Sequence, residues 1–184
     1  MSDSELIEVE LESQPVFSGV LLDVRRDIVR LPNGKTSIRE WIKHPGAVVV
    51  LALLPNGNLL FERQFRYPLK KIFLELPAGK YDAGEEVLDA ARRELLEETG
   101  YQAEQWSVLG KVHPCIGYSD EQIDIVLANG LSRVAEQSLD ANEFLEVVEI
   151  SPEAAIGAVT KGEITDGKTI AALFLMTQLK GLRT

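Results

Sequence analysis

GKYDAGEEVLDAARRELLEETG, residues 79–100, is the stretch on which the reading of this chain turns. From Glu85 to Thr99 it holds neither Gly nor Pro, is rich in Ala, Leu, Glu and Arg, and stops at Gly100, a residue suited to cap a helix C-terminus. The composition predicts a helix over 85–99. On a wheel with Glu94 at zero, Val87, Ala91, Leu95 and Leu88 fall between about 20° and 120° and form the apolar face. Glu98 falls near 40° and Glu97 near 300°, so Glu94 and Glu98 lie within or beside the arc that should face the core. Arg92, Arg93, Glu86 and Asp89 fall elsewhere, on an ordinary solvated face.

A run of charges on a helix usually marks a solvated surface. The phase contradicts that here. A lone buried carboxylate is costly, and carboxylates four residues apart repel one another. Arg93 can neutralise one glutamate, but on the wheel it does not share a face with Glu94, Glu97 and Glu98 together. A hard divalent cation such as Mg²⁺, with Mn²⁺ able to substitute, takes oxygen ligands from one or two carboxylates plus substrate phosphates, and so fits.

Outward from this helix, LPNG occurs at 31–34 and again at 54–57, each time between apolar, β-branched stretches. Asn-Gly accepts the positive φ angles of a tight hairpin. Strands are therefore predicted at about 16–30, 36–43, 46–54 and 58–66. AVVVLALL (47–54) is apolar on both alternating faces, as in a strand covered on both sides. Shorter strands are predicted at about 106–113, 122–128 and 144–150. Ser151-Pro152-Glu153 opens a helix, and about 167–181 reads as another. No low-complexity linker divides the chain. The expected organisation is an α/β domain over 44–184, preceded by an antiparallel β portion over 1–43 that packs on the domain or on another subunit.

Composition narrows the function classes. The 184 residues carry 19 Lys+Arg against 29 Asp+Glu, a formal charge of −10, which disfavours nucleic-acid binding. The longest apolar run, Ala47 to Leu54, is far short of the roughly 20 residues that cross a bilayer. The acidic opening MSDSELIEVELES shows no cationic stretch leading into an apolar one, so no signal peptide is expected. Cys115, the one cysteine, excludes an internal disulfide and fits a reducing cytoplasm. Two histidines do not build a typical zinc site, so His44 reads as structural, and Cys115 as packing rather than nucleophile.

The 79–100 segment resembles the Nudix box: glycine, glutamate after five residues, and after seven more Arg-Glu, an apolar residue, any residue, Glu-Glu, any residue and glycine. Every charged and glycine position is present, and Tyr101 stands where an aliphatic residue usually closes the box. HPGAVVV (44–50), Gln64-Phe65-Arg66, LELPAG (74–79) and GYSDE (117–121) are similar to the ADP-ribose pyrophosphatase branch, so that the resemblance covers about 39–150. It implies a Nudix α/β/α sandwich with a mixed sheet, a homodimer exchanging the N-terminal portion, and Mg²⁺-dependent cleavage of ADP-ribose to AMP and ribose 5-phosphate. Another nucleoside diphosphate sugar such as GDP-mannose is the alternative substrate. A catalytically silent sensing module is the alternative class, disfavoured because Glu85, Glu94, Glu97 and Glu98 are all kept.

The resemblance also implies roles. Glu94, Glu98 and the backbone carbonyl of Ala78 are metal ligands, with Glu97 a further one. Arg93 orients the carboxylates. Glu85 is a partner for Arg93 or a ligand through water. In the loop 139–146, Glu143 is the candidate base. Ala141 stands where a second glutamate is expected, so Glu143 as ligand, and Asp140 or a box glutamate as base, stay open. Arg66 resembles the arginine at the substrate's diphosphate, where a planar guanidinium suits phosphate oxygens. Arg39 and Glu40 resemble a pair near the adenine, where Phe17 or Trp41 could stack, and Lys43 replaces an acidic residue. Gly117 would allow close approach of its loop, and Glu121 resembles a residue near the terminal ribose.

Overall fold

The structure, a computed structural model, describes residues 2–139 and 141–179. Two compact units emerge, one from the described residues up to 45 together with 115–122, the other from 46–114 and 123 onward.

The first unit is an antiparallel sheet of β1 (Val9–Ser18), β2 (Asp23–Arg30) and β3 (Thr36–Lys43), in that order. The β2–β3 hairpin turns at LPNG, where the Gly34 N–H donates to Leu31 O and the Leu31 N–H to Lys35 O. The register pairs Asp27 with Arg39 and Arg26 with Glu40. One strand was expected across 16–30; instead the chain breaks at residues 19–22 and β1 begins at Val9. Apolar Val20, Leu21 and Leu22 hid that break. Pro15 sits beside a register shift in β1, an outer strand, where a missing N–H costs little. Every residue of β1 is exposed.

The second unit holds β4 (Ala47–Ala52), β5 (Leu59–Arg66), β6 (Lys71–Glu75), β7 (Ala78–Lys80), α1 (Val87–Thr99), β8 (Tyr101–Gln102), β9 (Gln105–Val112), β10 (Ile123–Asn129), β11 (Ser132–Arg133), β12 (Leu145–Ile150), α2 (Pro152–Thr160) and α3 (Gly167–Thr177). A sheet of order β7-β4-β10-β9 is mixed, since β4 and β10 run parallel and the outer pairs antiparallel. A second sheet, β12-β5-β6, is antiparallel throughout. β4 lies fully buried, and its alternation sorts it between two cores. Val48, Val50 and Ala52 pack with Ala90, Ala91 and Leu95 of α1. Ala47, Val49 and Leu51 pack with Ala155, Ala172, Leu173 and Met176 of α2 and α3. This is the helix–sheet–helix layering expected of the α/β reading. Each fully buried Val or Leu stabilises it by roughly 1.5–3 kcal/mol.

α1 ends where the sequence places it. The Gly100 N–H closes on Leu96 O with φ 76°, and a Cβ there would lie 2.2 Å from Ala135 O, so the position admits only glycine. α2 starts at its expected cap, Ser151 Oγ accepting from the Ala154 N–H. α3 ends at Thr177, earlier than the expected 181, a position outside the described residues. Among the described residues no helix is long and apolar enough to cross a membrane.

Candidate functional site

The site of the second unit is built on α1, β5 and the turn before β7. Glu98, one turn beyond Glu94, is 3% exposed, and its Oε2 accepts the Ala78 N–H at 3.0 Å. Gly79 follows, and a Cβ there would lie 1.9 Å from Glu94 Oε1, so the bare backbone makes room for that carboxylate. The glutamates divide as the helical phase demands: Glu98 buried, Glu94 nearly so, Glu97 with 45% of its side chain exposed.

Arg93 does more than the wheel allowed. Its Nη1 reaches Glu94 at 2.8 Å and Glu97 at 3.2 Å, while Nε and Nη2 hold Glu85 at 2.9 and 2.8 Å and Nη2 also donates to Lys80 O. One long guanidinium thus spans three carboxylates, though not Glu98. Its hydrogen bonds hold the Glu85 carboxyl below the usual range, and Glu85 Oε2 also accepts the Asp82 N–H. Glu85 is therefore seen as the partner of Arg93. Burial pushes Glu94 up, against the pull of Arg93.

Sequence reasoning missed Glu62. On β5 it shares a face with Leu60, which packs in the α1 core, and it is 3% exposed. It meets Glu98 side chain to side chain, and its Oε1 has no hydrogen-bond partner. Burial pushes its carboxyl up to about 8; Glu143 and Glu75 add to the push, while the hydrogen bond with Glu98 and the nearby Lys168 oppose it. Burial, then Glu62 and Glu94, drive Glu98 well above the usual carboxylate range. Period-two phasing along LLFERQFR was the signal that could have found Glu62: it puts a glutamate on a strand face that begins with leucine.

The same strand face carries Gln64 and Arg66. Gln64 Nε2 donates to Glu143 Oε1 at 3.2 Å, which draws the 139–146 loop to the glutamates. Asp140 of that loop lies outside the described residues. Arg66 forms a two-point bond with Glu75, Nε to Oε1 and Nη2 to Oε2, both 2.8 Å, and Lys168 also donates to Glu75. Burial alone would raise Glu75, but the Arg66 hydrogen bonds and the Lys168 charge hold it below the usual range. Asp166 caps α3 through the Thr169 N–H and accepts from Lys168, and Thr169 Oγ1 accepts the Leu76 N–H, so α3 anchors the segment leading to Ala78.

In the first unit, Arg39, Glu40 and Gly117 line one cleft of about 360 Å³ with Trp41, Tyr118 and Asp120. Arg39 is held by Glu8 and Glu40 by Arg26 at 2.7 Å, so each of the expected pair has its own partner. Trp41 Nε1 donates to the buried Asp27 at 2.6 Å, and Phe17 is exposed. A Cβ on Gly117 would meet no protein atom within 4 Å. Glu121 lies 3.9 Å from His44 and is not among the residues lining the cleft.

Among the described residues no three His, Cys, Asp or Glu side chains stand as ready-made ligands. Arg93 draws Glu94 and Glu97 one way while Glu98 turns to Ala78 and Glu62. The donor set nonetheless suits a hard divalent ion: oxygen donors only, two of the carboxylates deeply buried, and one buried oxygen with no donor facing it.

Residues 43–173 match the NUDIX domain, and residues 10–42 match the nucleoside diphosphate sugar hydrolase N-terminal domain. The chain is 42% identical to an ADP-ribose pyrophosphatase of Bacillus subtilis, over 91% of each protein. It is 38% identical to a methanol dehydrogenase activator of Bacillus methanolicus, over 90% of each. A crystal structure of an ADP compounds hydrolase superposes with a TM-score of 0.82 over 93% of this chain and 92% of its own, at 23% identity, and so shares the fold. A glycine that clears space for Glu94 and an arginine that spans three glutamates thus sit inside a match covering most of the chain: this protein belongs to the NUDIX family.

Proposed function

We propose that the chain hydrolyses the diphosphate bond of ADP-ribose, using Mg²⁺ or, in its place, Mn²⁺, to give AMP and ribose 5-phosphate. The observation that carries this reading is the buried meeting of Glu98 with Glu62 next to Glu94, carboxyl groups that repel one another once ionised and so suit a cation between them. The name of the Bacillus subtilis relative supports the substrate. Glu94, Glu98, the Ala78 carbonyl and Glu97 would hold the ion. When bound, it lowers the pKa of attacking water and neutralises phosphate oxygens.

The remaining roles belong to the chain itself. Arg93 keeps Glu94 and Glu97 in place and Glu85 keeps Arg93 in place. Glu143, tethered by Gln64, accepts the proton of the attacking water as the P–O bond opens. Arg66, its plane set by Glu75, binds the diphosphate. Arg39 and Glu40 serve the nucleoside end and Glu121 the terminal ribose, with Gly117 letting the 117–121 loop approach the substrate.

A panel of ADP-ribose, ADP-glucose, GDP-mannose, NADH and diadenosine polyphosphates with Mg²⁺, read by phosphorus NMR, tests the reading. ADP-ribose is expected to show the highest kcat/KM and to yield AMP. A preference for GDP-mannose would replace the substrate, and no turnover of any compound would leave a silent module.

The protein also works as a homodimer through its N-terminal sheet. β1 is exposed throughout, and Val9, Leu11, Val16 and Phe17 on it are exposed apolar side chains, the kind of surface that marks a protein–protein contact. Light scattering is expected to read twice 20.4 kDa, and Phe17→Asp to shift the mass toward the monomer. A wild-type monomer at micromolar concentration rejects the dimer. The lone cysteine supports a cytoplasmic location.

A further inference from the structure

We propose that Glu62 is a further carboxylate donor to the divalent cation, supplied from β5 opposite the glutamates of α1. The inference rests on the cation site proposed above and extends it to a residue outside the 79–100 segment. Three observations carry it. Glu62 is 3% exposed, in a strand whose preceding three residues, Leu59, Leu60 and Phe61, are all core. Its carboxyl meets that of Glu98, the most buried glutamate of α1. Its Oε1 has no hydrogen-bond partner, although buried carboxylate oxygens are almost always satisfied.

Among the described residues the cations of this part of the site are already committed. The charged groups acting most strongly on Glu62 are Glu98, Glu143, Glu75 and Lys168. Of these only Lys168 is cationic, and its ammonium is already bonded to Glu75 and Asp166. Arg66 is likewise committed to Glu75, and Arg93 to Glu85, Glu94 and Glu97. A structural glutamate in such a place would be replaceable by a leucine that continues the apolar face of Leu60. An ionised carboxylate there is well placed to meet a positive charge, and the shared contact with Glu98 puts that charge at the α1 glutamates.

The test measures Mn²⁺ alone binding to metal-free protein, with free Mn²⁺ read by electron paramagnetic resonance. Glu62→Gln keeps the volume and removes the charge; Glu62→Met keeps the length and the apolar packing. Melting in EDTA shows which variant folds cooperatively, and either one that does carries the test. The expected result is a Kd for Mn²⁺ at least about ten-fold weaker than wild type, with a melting temperature in EDTA equal to or above it. A wild-type Kd and stoichiometry in a cooperatively melting variant overturns the assignment of Glu62 while leaving the α1 site standing. A wild-type protein that binds no Mn²⁺ overturns both.

Discussion

Glu98→Gln is expected to lower kcat with Mg²⁺ by roughly 10³-fold or more while the protein keeps its fold. The amide matches the carboxylate in volume, and its oxygen can still accept the Ala78 N–H that Oε2 accepts at 3.0 Å. What is lost is a negative charge at the proposed cation site. Stability in EDTA separates this from a structural effect. Glu98 and Glu62 both titrate above the unfolded value of 4.5, Glu62 at about 8, so the folded state holds protons that the unfolded state releases. Their contribution is fullest below the unfolded value and is lost as pH rises through the folded one. Metal-free Glu98→Gln should therefore melt above wild type near pH 8, with the gap closing toward pH 4.5. Unchanged turnover with Mg²⁺ would reject Glu98 as a ligand. Joint loss of activity and of cooperative melting in EDTA would make it a structural residue instead.

Arg66→Ala should act on both binding and stability. Nε and Nη2 are committed to Glu75, while 43% of the side chain stays exposed, enough for the guanidinium to meet a diphosphate as well. If Arg66 binds the diphosphate as proposed, removing it deletes a charged partner of the phosphates, and KM for ADP-ribose should rise at least about ten-fold. It also leaves Glu75, 3% exposed, with Lys168 as its remaining cation. Losing hydrogen bonds to a buried charge costs about 1–3 kcal/mol, or roughly 3–10 °C in Tm for a chain of this size. Arg66→Lys, which keeps the charge without the two-point geometry, should fall between on both scales. A change in Tm with KM unaltered would show that Arg66 serves only Glu75.

The limits of local pattern are clearest at Arg93 and Glu75. A wheel places side chains by angle alone, and so separates Arg93 from its glutamates; the guanidinium arm closes that gap by length. Glu75 lies 93 residues from Lys168 in the chain, and no periodicity joins them. The short strands β6 and β7 escaped notice for a related reason: with five and three residues, they are held by pairing to β5 and β4 rather than by any alternation of their own.

By itself the amino-acid order determined what repeats within a few residues: α1 and its glycine stop, the β2–β3 hairpin at LPNG, the two-faced burial of β4, and the inward phase of Glu94 and Glu98. Those features follow from helix and strand periods and from the φ angles that particular residues tolerate. Tertiary structure alone decided that Glu62 meets Glu98, that Gln64 holds Glu143, and that Arg66 leans on Glu75. Each depends on which strand pairs with which and in what register. A one-residue slip of β5 would turn Glu62, Gln64 and Arg66 together to the opposite face, so their partners are set by the packing of the whole unit rather than by their neighbours in the chain.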